Sequence, residues 1–286
     1  AYLLNYFFDN SIGFKIGDVI ISCFTIYLIY LISKEIFLNN FVAKISAFLF
    51  TIYPFSIFYS ISGLSETLFV FFLLLAILML YKNYFFISFV IFVLSIYVKS
   101  TTDILAPIVL FTFFFFVKKY NFKKIGFLLF SYFLVYSFLM APWWYHNLKK
   151  YDGFVRTNLA ANYHLYSGNN PKNKTGGGIG GIDVDHTVIS KNFNNEPLKL
   201  NIAYRDAALN YIKDNPNETL KLYFKKFNRF WSFYPFKMPN NLIANDENYE
   251  ELFNANKYNN INYKIISIFS YGIIFSSSII FIFFFS

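Results

Sequence analysis

Glu66 places a carboxylate in a strongly apolar part of the chain, within the run SGLSETLF. An ionisable side chain at a membrane boundary costs free energy unless it is capped, paired or used. One interpretation is structural: Ser65 caps a helix, and the positive end of the helix dipole stabilises Glu66. The other is chemical, because a carboxylate within reach of a hydroxyl can take its proton as a general base. Both interpretations stay open at this point.

Lys99 and Asp103 lie close together in the run YVKSTTDILAP. They can form an ion pair with each other, or Lys99 can extend its ammonium group to the membrane interface. A lysine beside hydroxyl groups, here Ser100 and Thr101, is also a suitable partner for a lipid phosphate. The residue types alone do not separate the ion pair from the phosphate site.

The segment after residue 140 offers groups that suit the recognition of sugars and phosphates. Its amides and its guanidinium group supply hydrogen-bond donors for hydroxyl and phosphate oxygens, and its aromatic residues fit an interfacial belt. Ordinary loop structure explains these residues equally well. The candidate substrate-binding residues are Trp143, Tyr145, Asn147, Arg156, Asn162, Asn169 and Asn170.

Asp183, Asp185 and His186 form a DxDH run after the glycine-rich segment GGGIGG. The run resembles a ligand set for a divalent metal, but its carboxylates are few and its spacing is common. We therefore assign no cofactor, and a divalent metal stays an alternative to ordinary loop structure. The glycines lack the Lys-Ser/Thr pair of a phosphate-binding loop, which argues against a nucleotide site.

Apolar helices must position these groups. Hydrophobic residues make up 56% of the chain and charged residues only 14%, whereas a typical soluble domain has about a quarter charged residues. A water-soluble core cannot hide so much Phe, Ile and Leu, so the bilayer is the expected solvent. Hydropathy predicts an all-α polytopic membrane protein with about seven transmembrane helices. These are 16–32, 41–58, 67–81, 84–98, 104–117, 125–140 and 265–285, and the fifth is short enough for a re-entrant hairpin.

The placement of lysine predicts the orientation of these helices. Seven lysines fall in one set of alternate short loops and two in the other, so the positive-inside rule makes the first set cytoplasmic. Glu66, Lys99 and a long polar segment then share the outer face. The predicted organisation is the end of a first outer loop at 1–15, a bundle of about six helices at 16–140, a large extracytoplasmic domain at 141–264 and a last transmembrane helix at 265–286.

The extracytoplasmic domain is expected to be mainly helix and loop. Gly- and Asn-rich turns come first, since both residues tolerate positive φ. A helical pattern begins at Leu198, is interrupted by Asn215-Pro216 and resumes from Glu218 to Phe233. Residues 240–260 are polar and Asn-rich, which predicts a loose return to the membrane.

The net charge of +9 does not indicate a nucleic-acid partner. The positive residues lie at the ends of apolar segments and in the long polar segment, and no basic soluble module interleaved with aromatic residues is present. The single cysteine, Cys23, excludes an intramolecular disulfide and a cysteine zinc cluster.

Four segments carry a resemblance through their order: TIYPFSIFYSISGLSETLF, IYVKSTTDILAP, APWWYHNLKKYDGFVRTNLAANYHLYSGNNP and YRDAALNYIKDNPNETLKLYFKKFNRFWSFYP. Together they resemble the bacterial glycosyltransferases of the C superfamily. These are the dolichyl-phosphate-mannose–protein mannosyltransferase type, with the related aminoarabinose transferases of lipid A. The resemblance spans nearly the whole chain, and the succession PWW-x-x-N, Thr-Asn and SGNNP is its most specific part.

The resemblance implies an enzyme of the bacterial inner membrane with its large loop in the periplasm. Such an enzyme moves a sugar from a polyprenyl-phosphate donor to a lipid, glycan or protein acceptor, so its partners are that donor, membrane lipids and the acceptor. By resemblance, Glu66 lies at the catalytic centre and Lys99 contacts the donor phosphate. Ser100 and Thr101, which follow Lys99, can add hydroxyl donors to that contact. The main catalytic Asp of the family is expected upstream of Ala1, in a longer chain of which this sequence is a piece.

Three other classes predict different features. A flippase or transporter of lipid-linked sugars predicts charges in mid-membrane and broken helices related by a repeat, and the sequence shows neither. A polytopic assembly protein predicts no convergence of Glu66, Lys99 and the long loop. An O-antigen ligase or polymerase predicts an arginine-rich loop, whereas this loop holds only Arg156, Arg205 and Arg229. A glycosyltransferase is the preferred prediction, with a transporter and a ligase or polymerase as alternatives.

Overall fold

The computed structural model describes residues 10–178, 183–191, 193, 196–231, 265–266, 268–274 and 276–277. Over these residues the chain forms helices and no β-strand, which confirms the predicted all-α class. One π-helical turn, Phe113–Val117, directly follows the helix Thr102–Thr112, and a second covers Ile268–Gly272. The helices are α1 Asn10–Phe37, α2 Asn40–Ile52, α3 Pro54–Ser60, α4 Ser65–Tyr81, α5 Phe85–Val98, α6 Thr102–Thr112, α7 Phe122–Tyr151, α8 Ala160–Gly168, α9 Thr187–Ser190, α10 Pro197–Asp214 and α11 Pro216–Phe230.

The chain divides into two compact units, Ala1–Thr157 and Asn158–Ser286. The N-terminal unit holds α1 to α7 and the C-terminal unit holds α8 to α11. The helix predicted to end at residue 140 continues through Pro142 to Tyr151, and Asp152 follows it in the left-handed conformation with φ 50°. The PWWYHN run therefore belongs to a helix.

Two described helical segments, Ile12–Phe37 and Phe122–Tyr151, are long and apolar enough to cross a membrane, which indicates a membrane protein. A third span results if α2 and α3 count as one bent segment. The prediction of about seven spans is therefore wrong on length and composition for the described residues. A straight span needs about 20 residues, whereas α4 has 17 and α5 has 14.

The bend between α2 and α3 shows why the prediction failed. The hydropathy window joined residues 41–58 into one span, yet the two helix axes differ by 62°. Tyr53 lies between them in an extended conformation, with φ −69° and ψ 117°. A residue before proline is kept out of the helical region by the proline ring, so Pro54 breaks the span.

The helices α4 and α5 form a hairpin within the N-terminal unit. Residues 82–84 join them, and Asn83 has a φ of 63°, which asparagine tolerates better than most residues. The buried hydroxyl of Ser88 donates to the carbonyl of Ala76 at 2.8 Å and ties the helices together. Phe89, Phe92 and neighbouring apolar residues of α6 and α7 complete the core. Because a short connection makes the helices antiparallel, the start of α4 and the end of α5 lie at the same end of the pair.

The C-terminal unit contains the helices predicted after Leu198. α10 and α11 have the expected break at Asn215-Pro216, with Pro216 in the first turn of α11, where its missing N–H costs nothing. The core of the unit contains Tyr166, Val184, Tyr204 and Ala208. The predicted loop at 240–260 lies outside the described residues, and of the predicted span at 265–285 only 265–266, 268–274 and 276–277 are described.

Candidate functional site

Glu66 and Lys99 form an ion pair in the N-terminal unit. The Lys99 ammonium lies 2.6 Å from Oε1 of Glu66, and each side chain is about one third exposed. Glu66 is in the first turn of α4 and Lys99 directly follows α5, so the hairpin brings them together. Leu64, not Ser65, is the N-cap of α4, and no side chain caps this helix. The expectation that Ser65 caps the helix is therefore wrong, while the two site residues do meet.

Asp103 takes a different partner from the one considered in the sequence. Its Oδ2 accepts from Nε of Arg156 at 2.8 Å. The Asp103 side chain is only 8% exposed, whereas that of Arg156 is 59% exposed. Asp103 lies in the first turn of α6, one turn of chain beyond Lys99. Lys99 and Asp103 therefore do not pair with each other. Lys99 pairs with Glu66, and Asp103 pairs with Arg156.

Several buried polar atoms surround the Asp103–Arg156 pair. Oδ1 of Asp103, Oγ1 of Thr102 and the hydroxyls of Tyr132 and Tyr136 are buried without a hydrogen-bond partner. The Tyr136 hydroxyl lies beside both members of the ion pair but outside hydrogen-bond geometry. We call these five residues the Asp103 cluster. Native proteins rarely leave buried polar groups unpaired, so the Asp103 cluster is a candidate position for a bound ligand or water.

The two tryptophans of α7 hold the following segment against the unit. Nε1 of Trp143 donates to the carbonyl of Thr157 at 2.8 Å, and Nε1 of Trp144 donates to the carbonyl of Arg156 at 2.8 Å. Together with the Asp103 ion pair, these bonds fix both the backbone and the side chain of Arg156. Trp144 therefore positions Arg156, and Trp143 holds the residue after it, roles that the aromatic-belt interpretation did not contain.

The remaining candidates of the N-terminal unit have mixed environments. Ser100 and Thr101 form the turn between α5 and α6, beside Lys99, and Thr101 is exposed. Tyr145 is exposed, and the Lys149 ammonium lies 4.5 Å from the centre of its ring. Asn147 is buried, with its Nδ2 unpartnered. Of these, the two hydroxyl residues are the ones that the fold places next to the Glu66–Lys99 pair.

Sequence reasoning missed three polar residues that lie in the same unit as the Glu66–Lys99 and Asp103–Arg156 pairs. Oδ2 of Asp18, on α1, is buried without a partner, and the side chain lies beside the backbone amide of Gly63. Gly63 precedes α4 and has a φ of 67°, a conformation that suits glycine. Tyr132 and Tyr136 are the other two. A lone carboxylate inside an apolar run, and two tyrosines four residues apart on one helix face, are the signals that could have found them.

The asparagines of the C-terminal unit are used mainly by their own loop. Nδ2 of Asn170 donates to two carbonyls of α8, and its Oδ1 accepts from the two backbone N–H groups that follow. Nδ2 of Asn169 donates to another α8 carbonyl, and its Oδ1 accepts from the Lys226 ammonium at 3.1 Å. Burial lowers the pKa of Lys226. Both amides thus have structural partners, while Asn162 is half-buried on α8.

The side chains of the DxDH run serve different structural purposes. Asp183 is fully buried and accepts from Oγ1 of Thr175, which lies 2.7 and 2.8 Å from its two carboxylate oxygens. Asp185 accepts from the backbone N–H and the hydroxyl of Thr187, and these bonds lower the pKa of Asp185. Among the residues that the structure describes, no three His, Cys, Asp or Glu side chains come together as a metal site.

His186 completes this run inside an aromatic cluster. Its ring stacks on Tyr163 with the ring centres 4.1 Å apart and meets the edge of Tyr204 at 5.8 Å. Both ring nitrogens are buried without a hydrogen-bond partner. Burial lowers the pKa of His186, the nearby Asp185 carboxylate opposes this effect, and His164 adds to it. The neutral imidazole therefore fits this environment better than the cation does.

Comparison of the chain with protein-family models, curated proteins and solved structures finds no match.

Proposed function

We propose that this chain is part of a membrane glycosyltransferase. It moves a sugar from a polyprenyl-phosphate donor to a lipid, glycan or protein acceptor. In this proposal the protein resides in a bacterial inner membrane, and the segment after α7 is periplasmic. The support from sequence is the ordered resemblance to the C superfamily and the lysine bias between loops.

The observation that carries the proposal is the Glu66–Lys99 ion pair at the open end of the α4–α5 hairpin. A carboxylate and an ammonium group at one helix end provide the two functions that glycosyl transfer from a lipid phosphate needs. The carboxylate acts on the acceptor hydroxyl, and the ammonium stabilises the departing phosphate. Arg156, which pairs with Asp103 one turn of chain beyond Lys99, adds a second, largely exposed cation.

The proposed reaction is a single displacement. The acceptor oxygen attacks the anomeric carbon of the donor while a carboxylate takes the hydroxyl proton. The bond between that carbon and the phosphate oxygen breaks, and the lipid phosphate leaves with its charge balanced by Lys99. Glu66 acts on the chemistry or the acceptor.

The ion pair has a consequence for the order of events. While the Lys99 ammonium donates to Oε1 of Glu66, its positive charge makes that carboxylate a weaker base for a hydroxyl proton. A donor phosphate that draws Lys99 away would release the carboxylate at the moment when the acceptor needs it. Donor binding would therefore precede acceptor activation.

A second acid–lysine pair provides a matched control. Glu35 of α1 pairs with Lys82, which directly follows α4, and these side chains are about as exposed as Glu66 and Lys99. α4 has 17 residues and is therefore about 25 Å long, so the control pair lies far from Glu66.

The test measures sugar transfer by the full-length protein in proteoliposomes with labelled polyprenyl-phosphate sugars, at matched protein abundance. Glu66→Gln should lower turnover and Lys99→Ala should weaken donor use, while Lys99→Arg keeps the charge and part of the activity. Glu35→Gln and Lys82→Ala should transfer at the wild-type rate. Wild-type rates for both Glu66→Gln and Lys99→Ala would end the proposal.

A further inference from the structure

Helix α11 and the residue after it carry a continuous apolar surface that is largely exposed in the described part of the chain. The side chains concerned are 41% to 75% exposed. With 3.6 residues per turn they fall within about a third of the helix circumference. This surface, which we call the aromatic face, consists of Leu220, Tyr223, Phe224, Phe227, Phe230 and Trp231.

The other side of α11 is packed on the C-terminal unit. Thr219 and Leu222 are buried. The Lys226 ammonium donates to Oδ1 of Asn169, and the Lys225 ammonium donates to the carbonyl of Lys174 at 3.0 Å. These contacts fix the rotation of the helix, so the exposure of the aromatic face is built into the fold of this unit.

Other exposed apolar residues of the unit do not form such a surface. Between residues 158 and 215, the large apolar side chains that the structure shows as exposed are Val188, Ile202 and Leu209. Single exposed apolar residues are normal in folded proteins and need no explanation. A contiguous aromatic surface, in contrast, marks a site of interaction with protein or membrane.

The charges of α11 favour a membrane surface as the partner. The helix has 15 residues and carries four cations against one carboxylate, Glu218. At about 22 Å it is too short and too charged to cross the hydrocarbon layer. Lys221, which pairs with Glu218, flanks the aromatic face, where its side chain can reach lipid phosphates. A basic polar side opposite Phe, Trp and Leu is the composition of helices that lie in the plane of the interface.

We propose that α11 is an interfacial helix whose aromatic face enters the headgroup region of a membrane that contains anionic lipid. Lys221 then lies at the level of the phosphates, where an anionic surface attracts its charge. The spanning helices belong to the same chain, so this unit is tethered to a bilayer. The proposal needs no sugar-transfer activity, so it stands or falls apart from the proposed function.

The experiment places one nitroxide label at a time on the full chain in lipid nanodiscs, after Cys23, which is exposed, is replaced by serine. Labels go on Phe227→Cys in the aromatic face, on Lys221→Cys at its flank and on Lys213→Cys, an exposed position of α10. Collision with oxygen reports lipid, and collision with a water-soluble nickel complex reports water. Phe224→Cys is a second aromatic-face position, which guards against a folding defect at Phe227.

The label at Phe227 should collide with oxygen and exclude nickel, at a depth of about 5–10 Å below the headgroups. The label at Lys221 should be shallower, and the label at Lys213 should be fully open to nickel. Replacing anionic phosphatidylglycerol by phosphatidylcholine should raise the nickel accessibility at Phe227, and no change would refute the role of Lys221. Nickel accessibility at Phe227 equal to that at Lys213 would overturn the proposal. So would exclusion of both reagents at Phe227, because a protein surface would then cover the face.

Discussion

Thr175→Val removes a hydroxyl from the buried contact that anchors the glycine-rich loop and keeps the shape of the side chain. Oγ1 of Thr175 lies 2.7 and 2.8 Å from the two oxygens of Asp183, and it accepts from the backbone N–H of Gly177 at 3.1 Å. A hydrogen bond to a charged group contributes about 1.5–3 kcal/mol. Because Asp183 is fully buried, water cannot replace the lost donor. We expect the free energy of local opening to fall by about 1.5–3 kcal/mol.

The assay is hydrogen–deuterium exchange of the full chain in nanodiscs, read on peptides that cover residues 165–178. Protection there should fall by roughly 10- to 100-fold, because 1.4 kcal/mol corresponds to a factor of ten. Thr187→Val is the matched control. It removes the same kind of bond, 2.7 Å to Oδ1 of Asp185, at an exposed position, and should cost less than about 0.5 kcal/mol. An equal loss in both variants, or no loss in Thr175→Val, would refute the assigned role of burial.

Three further outcomes are expected. Burial lowers the pKa of His186 in the folded state. The neutral His186 ring therefore favours the folded state above the pKa of the unfolded chain, about 6.5, and this stability is lost as the pH falls below that pKa. Exchange protection of α8 and α10, corrected for intrinsic rates, should therefore drop on acidification in the wild type and stay level in His186→Phe. Asp103→Asn removes the ion pair of Arg156, and because the guanidinium is largely exposed, the loss should be about 1 kcal/mol, seen as faster exchange at residues 152–157 with α4 unchanged. Unchanged exchange at these residues would show that the two tryptophan hydrogen bonds hold the segment without the ion pair. A cysteine at Lys172, which is exposed, should react with an impermeant reagent from the outer side, and one at Lys123 should not. The reverse labelling pattern would refute the predicted topology.

The helical class and the C-terminal helices could be predicted because local signals determine them. The three- and four-residue spacing of apolar residues and the position of Pro216 predicted the break at Asn215-Pro216 and the two helices beside it. The number of spans could not be predicted in this way. A hydropathy window averages across backbone breaks such as the bend at Tyr53-Pro54, so it counted short or bent helices as full spans.

The Glu66–Lys99 pair was accessible to sequence reasoning because a short turn makes α4 and α5 antiparallel, which places residues at their outer ends together. The pairing of Asp103 with Arg156 was not accessible. It depends on the continuation of α7 past Met140 and on the hydrogen bonds from the Trp143 and Trp144 indoles, which hold residues 156 and 157 near α6. Sequence spacing carries no information on such a return.

The buried partners in the C-terminal unit were also beyond prediction. Gly177 has no Cβ, and one added there would lie 2.6 Å from Oδ2 of Asp183 and 2.9 Å from Nη1 of Arg229. The glycine run thus reflects the close approach of distant side chains, which is visible only once α11 is in place. The DxDH run looked like a ligand set because the sequence does not show that its side chains point to different partners.

The most direct measurement is the binding of undecaprenyl phosphate to the full-length protein by native mass spectrometry, with undecaprenol as the lipid that lacks the phosphate. It requires no knowledge of the sugar or of the acceptor. If Lys99 binds the donor phosphate, the wild type and Lys82→Ala should retain the phosphate lipid in preference to the alcohol, and Lys99→Ala should lose that preference. Equal retention of both lipids by the wild type, or an unchanged preference in Lys99→Ala, would contradict the phosphate site at Lys99.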